Sequence, residues 1–227
     1  MKGLAIALAL LISAAAAAQA PVSAQAPVSV RSTAGPASPF APAETRFSFD
    51  VHAGAGVSRM NYISGKTRVW MGPVDSYAAG AGVRYYLLSG VAAESGFNLV
   101  TRGGYDKDLF NNKYSSTYIE VPLTLSLSVL ILPSFRLSLE GGGYVAYGIS
   151  GSTVNEAGRF PYFSNGSYAV AKPLDYGAGG GLSAEIARRV RLSVRYEYGF
   201  CNIAGGNIKK ITGLHNESVI FLAGYLF

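Results

Sequence analysis

One cysteine, one tryptophan and two histidines in 227 residues exclude several chemistries at once. Cys201 has no partner for an intrachain disulfide, and a paired-thiolate metal site cannot be assembled. Its expected role is that of a small loop residue. Charge is scarce as well, at 14% of residues against 49% hydrophobic, with 28 Gly and 15 Tyr. That mixture is foreign to a soluble enzyme. The formal net charge of +6 includes the N-terminal segments, and no nucleic-acid motif accompanies it, so nucleic acid is not an expected partner. Beyond the N-terminus, no run reaches the ~18 apolar residues of a membrane helix.

What is present begins with Lys2, the apolar run 4–12 and the small residues 13–18, which together read as a secretory signal peptide over 1–18. Pro21 disfavours a cut after Ala20, and no Cys offers a lipoprotein anchor. Residues 19–45 are rich in Ala, Pro and Ser and carry QAPVS twice, at 19–23 and 25–29. Such a stretch buries no core and is expected to be a flexible periplasmic leader. Residues 46–227 form the remaining domain.

In that domain, Val219, Phe221, Ala223, Tyr225 and Phe227 fall at every second position up to the last residue. In a strand they share one face, and such a face suits lipid better than water. Alternating runs recur at 46–58, 76–87, 91–102, 116–129, 134–150, 173–187, 190–200 and 217–227. Each is near or above the ~9 to 11 residues a tilted membrane strand needs. The connections alternate in length: 88–90, 130–133 and 188–189 are short, whereas 59–75, 103–115, 151–172 and 201–216 are long. Short turns at one end and long loops at the other are periplasmic and extracellular signatures. The predicted fold is all-β, an eight-stranded antiparallel up-and-down transmembrane β-barrel of the bacterial outer membrane.

Charge sorting supplies a further signal. Phe47, Phe49 and Val51 oppose Asp50, Ile119, Val121 and Leu123 oppose Glu120, and Leu192, Val194 and Tyr196 oppose Arg191 and Arg195. A lipid-facing Arg or Lys costs ~2 to 4 kcal/mol at the bilayer midplane, so the charged parity is expected to face the lumen. A soluble lipocalin-like barrel would show the reverse. The predicted lumen network comprises Asp50, Glu94, Glu120, Glu140, Asp175, Glu185 and Glu197 with Arg84, Arg136, Arg191 and Arg195. In a narrow interior these groups are expected to pair and block the barrel. The alternative is a small, porin-like ion- or solute-conducting channel.

Catalysis finds few ingredients. Asp50, His52 and Ser183 are the only triad components, and His215 has no recognisable partner spacing. The runs Gly141, Gly142, Gly143 and Gly179, Gly180, Gly181 lack the Lys-Ser/Thr ending of a phosphate loop. No catalytic, cofactor or metal site is expected, and the chain is expected to be a monomer that is not an enzyme. The long loops combine basic and aromatic residues, among them Lys66, Arg68, Trp70, Tyr105, Lys107, Arg159, Lys209 and Lys210, with Arg59 and Arg102 counted beside them. Such a rim suits lipopolysaccharide phosphates or a protein partner. Two irregularities stand out. Pro122 interrupts the fourth strand and is expected to mark a bulge or a widening of the wall, while Ile220, Leu222 and Leu226 place apolar groups on the lumen parity. The latter predict either an apolar plug or a reversed last strand.

These words together resemble the PorT-like outer-membrane β-barrel family: Tyr118-Ile119-Glu120-Val121-Pro122-Leu123, Glu140-Gly141-Gly142-Gly143-Tyr144, Leu174-Asp175-Tyr176-Gly177, the run from Tyr196 to Ile203, and Gly224-Tyr225-Leu226-Phe227. The resemblance implies the fold and the outer-membrane location. It implies no substrate, and a part in protein secretion enters only because some members have one.

Overall fold

The computed structural model describes residues 46–106, 111–163, 171–205 and 212–227; the expected signal peptide and leader lie outside them. The strands are β1 (Phe47–Ser64), β2 (Thr67–Trp70), β3 (Val74–Leu88), β4 (Val91–Asp106), β5 (Asn112–Leu132), β6 (Phe135–Asn155), β7 (Gly158–Pro161), β8 (Leu174–Ile186), β9 (Val190–Gly199) and β10 (Gly213–Leu226). Eight of them pair in a closed antiparallel ring, β1-β3-β4-β5-β6-β8-β9-β10, sealed by β10 on β1 from Asp50↔Leu226 to Ile63↔Gly213. The Phe227 amide donates to the Phe49 carbonyl at 2.9 Å, so the ladder continues to the last residue. Closure leaves no ring strand with an unpaired edge in lipid.

The lipid penalty explains the two faces. Phe97 and Leu123 are each 68% exposed on the wall, whereas Arg84 is 2% exposed inside. Short turns sit at the end that holds both Phe47 and Leu226: two residues join β3 to β4 and β5 to β6, and three join β8 to β9. In the β8–β9 turn Ala187 and Arg188 take φ of 51° and 59°, a left-handed pair that lets a three-residue loop reverse the chain.

At the opposite end, that of the expected extracellular loops, the strands outrun the sequence expectation. β1 reaches Ser64, β4 reaches Asp106, β5 starts at Asn112 and β6 reaches Asn155, while β2 and β7 fold back on β1 and β6 as hairpins. Part of each expected long loop is therefore sheet. Above the bilayer the outward face meets water, so alternation ceases to mark a strand.

Pro122 produces no bulge. The β4–β5 register is the same on both sides of it, Ser95↔Leu123 and Asn98↔Glu120, but Gly96 and Phe97 have no partners in that ladder. Proline lacks the amide that would bond across, and the Ser95 hydroxyl donates to the Pro122 carbonyl at 2.8 Å. On the last strand, Ile220 and Leu222 pack inside with Ala78 and Val100, so β10 keeps its orientation and the apolar-plug expectation describes it.

Candidate functional site in the barrel lumen

The inward positions form three tiers. In the lower tier, nearest the short turns, Arg84 Nε lies 2.8 Å from Glu94 Oε1, at an angle too oblique for a hydrogen bond, and another Arg84 nitrogen pairs with Glu185. Arg191 Nη2 bridges Glu94, at 2.8 Å, and Glu140, which also accepts from the Ser183 hydroxyl. Arg84 donates to the Tyr86 hydroxyl at 3.0 Å, and Arg136 places its guanidinium 5.7 Å from the centre of the Tyr86 ring.

The middle tier is a relay of neutral and ionic groups. His52 Nδ1 lies 2.6 Å from Asp50 Oδ2, His52 Nε2 lies 2.8 Å from Asn98 Oδ1, and Asn98 Nδ2 donates to Glu120 Oε1 at 3.1 Å. Both ring nitrogens thus face oxygen atoms. Glycine makes the space: a Cβ at Gly82 would stand 2.6 Å from Asp50 Oδ1, and one at Gly80 would stand 3.0 Å from His52 Nε2. A cavity of about 30 Å³ opens here between His52, Glu94, Pro122, Arg191 and Arg195. It is large enough for one or two waters and too small for a solute.

The upper tier centres on Arg102, 1% exposed. Its guanidinium pairs with Glu120, with Glu197 at 2.8 Å and with Asp175 at 3.4 Å, and it stacks 4.5 Å from the centre of the Tyr144 ring and 5.4 Å from that of Tyr118. Asn216 Nδ2 donates to Asp175 Oδ2 at 2.9 Å, and Arg195 lies 3.6 Å from Glu197. The expectation that Arg102 belongs to a basic rim is corrected: it ends the membrane part of β4 with the same parity as Glu94 and Asn98, and therefore points inward. The parity was legible, since the expected run 91–102 already contained Arg102, but as its last residue it was counted with the loop charges.

Above this tier the mouth is closed by apolar side chains. Met60, Met71, Tyr114, Tyr162, Ile203 and Leu214 form one buried cluster. Tyr162, just beyond β7, reaches in so that its hydroxyl donates to Met60 Sδ at 3.2 Å, and Phe163 packs edge-on against Tyr162 and Tyr118. Burial pushes the Tyr162 phenol well above its usual range, so the cap stays uncharged in mildly alkaline solution. Periodicity cannot reveal this cluster, because Met71, Tyr162 and Ile203 lie in connections and meet Met60, Tyr114 and Leu214 only when the barrel closes.

The triad ingredients are kept apart in function: Ser183 is bound to Glu140, and His52 is held by Asp50 and Asn98. His215 stacks on Tyr198, with ring centres 6.1 Å apart. Among the described residues no group of three His, Cys, Asp or Glu side chains converges as a metal site would require. Of the rim candidates, Lys66, Arg68 and Trp70 occupy the β1–β2 hairpin, Tyr105 bridges to Gly72 at its base, and Arg159 lies on the separate β6–β7 hairpin. Lys107, Lys209 and Lys210 lie outside the described residues. Phe221 and Phe227 are exposed on the wall, and the Tyr225 hydroxyl accepts from Arg189 at 3.0 Å.

Among solved structures the chain is similar to the outer membrane protein OprG of Pseudomonas aeruginosa, with TM-score 0.49, 11% identity, and coverage of 83% of this chain and 98% of that one. It is also similar to Ail, the attachment invasion locus protein of Yersinia pestis, with TM-score 0.45, 14% identity, and coverage of 81% and 100%. A third is the outer membrane enzyme PagL, with TM-score 0.45, 13% identity, and coverage of 77% and 97%. No curated protein matches the chain by sequence. The family described as an outer membrane protein beta-barrel domain matches residues 33–205, so the chain belongs to that family and resides in the bacterial outer membrane.

Proposed function

We propose that the protein is a sealed, non-conducting barrel that serves as a membrane scaffold and displays an extracellular interaction surface, without catalysis in its lumen. The observation that carries this reading is double obstruction: the Arg102 tier fills the bore with paired ions and rings, and the Tyr162 cap closes the mouth above it. Paired buried ions of this kind hold a lumen shut because separating them leaves uncompensated charge in a dry interior. The absence of a free nucleophile–base pair at Ser183 and His52 supports the non-enzymatic part.

The surface consists of the β1–β2 and β6–β7 hairpins, where Lys66, Arg68, Trp70 and Arg159 stand exposed to a protein or lipopolysaccharide partner. The motif words at 118–123, 140–144 and 174–177 support PorT-like membership within the broader family. Planar-bilayer recording of the refolded protein tests the sealed state. Silence over a wide voltage range is expected; discrete steps that change in Arg84→Gln or Glu140→Gln would establish the channel alternative instead.

A further inference from the structure

The wall formed by β9, β10 and β1 carries a polar patch where the lipid-facing parity should hold none. Glu217 has the parity of Val219 and Phe221, yet its side chain is a carboxylate only 12% exposed. Arg59 grips it with two bonds, Nε at 2.8 Å and Nη2 at 2.9 Å, the Tyr196 hydroxyl donates to it at 3.1 Å, and the Trp70 indole stands close enough to favour its charged form. Next to this cluster is Asn61, whose parity is opposite to that of the inward Met60 and Tyr62. It pairs across strands with Trp70 on one side and His215 on the other. Asn61 is 0% exposed, and neither its Oδ1 nor its Nδ2 has a hydrogen-bond partner among the described residues. Buried amides are rarely left so, because an unmade bond costs the full desolvation of the group.

Directly below lies an apolar depression of about 800 Å³, floored by Ala53, Ala55 and Ala223 and flanked by Phe221 and Leu182. Its lining ends toward the extracellular side at Val57 and Val194, each two residues short of Arg59 and Tyr196, or roughly 7 Å along a strand. An aromatic girdle alone accounts for Trp70 and Tyr196. It accounts for neither Glu217 nor Asn61.

We propose that this wall binds an outer-leaflet glycolipid, with an acyl chain in the depression and an uncharged saccharide ring on the polar patch. The Trp70 side chain, cross-strand neighbour of Asn61, turns to lie on the sugar and uncovers the amide. A saccharide fits better than a phosphate because Glu217 already matches the charge of Arg59, leaving no surplus cation for an anionic headgroup. Hydroxyl groups both donate and accept, which the Asn61 amide and the Arg59–Glu217 pair require. This site lies on the wall at the base of the β1–β2 hairpin and stands whether or not the hairpin tips bind a partner.

Trp70 is the sole tryptophan, so intrinsic emission reports this patch alone. The protein would be placed in phosphatidylethanolamine nanodiscs and titrated with monoglucosyl diacylglycerol or, separately, with phosphatidic acid. A saturable shift in emission with the glucosyl lipid, at least about tenfold weaker with phosphatidic acid, is expected. Asn61→Leu and Ala55→Phe, the latter filling the depression while adding only lipid-facing apolar surface, are each expected to weaken it about tenfold with the fold intact. No saturable response, an equal response to both lipids, or parental affinity in both variants would overturn the proposal.

Discussion

Replacing Arg102 with Met isolates the ionic tier from its shape, since Met nearly matches the arginine stem. The guanidinium serves Glu120, Asp175 and Glu197, which are 0%, 0% and 4% exposed, so its loss strands three carboxylates that water does not reach. Removing one partner of a buried pair costs about 3–5 kcal/mol. Here one cation is shared by three anions, which places the expected loss toward ~5 kcal/mol at neutral pH, together with the stacking on Tyr144 and Tyr118. Arg195, 3.6 Å from Glu197, offsets part of that charge and keeps the loss from rising further. The assay is urea unfolding in lipid vesicles, followed by Trp70 emission and by the heat-dependent mobility of folded barrels on gels. The deficit should shrink as pH falls, because protonated carboxyls need no counter-charge, and adding Glu120→Gln to the variant should recover part of it. An Arg102→Met protein with the parental urea midpoint and slope at neutral pH would refute the idea that this cluster holds the barrel together.

Three other outcomes follow from the geometry. Tyr162→Ala removes the side chain at the centre of the cap and should cost about 3–5 kcal/mol if the cap unfolds with the barrel; conductance should stay absent because the Arg102 tier below is intact, as bilayer recording would show. The double change Ala187→Asn, Arg188→Gly places residues suited to positive φ in the β8–β9 turn and should raise stability by about 0.5–1 kcal/mol in the same urea assay. Burial raises the Cys201 thiol above its ordinary pKa, so the thiolate is scarce at pH 8 and iodoacetamide labelling should be slower than for a free thiol; labelling should accelerate only as pH climbs past the ordinary thiol range.

The barrel was legible because lipid enforces a choice at every second residue. Asp50, Glu94, Glu120, Glu140, Asp175 and Glu197 could be assigned to one side of their strands from parity alone, and the same residues lie inside the ring. Individual pairings were not legible, since they depend on register: Arg84 meets Glu94 across β3–β4 but reaches Glu185 across the bore. Of the middle tier only the link was missed: Asn98 carries no charge and drew no attention, although it joins His52 to Glu120. The cap was missed for a different reason. Met71, Tyr162 and Ile203 come from three separate connections, and only tertiary closure shows that they share one cluster. Glu217 was visible as an outward charge in the last run and passed unremarked; its meaning depends on Arg59, Tyr196 and Trp70 converging on it.

The pairing of β1 with β10 has a consequence for biogenesis. A strand near residue 50 must wait for one near residue 220 before its own amides and carbonyls are satisfied. No partly threaded intermediate can rest in hydrocarbon with those groups bare. Until that final strand arrives, the open edge of β1 needs water or another sheet edge to satisfy it, and the β1–β10 seam is the last contact the ring can make.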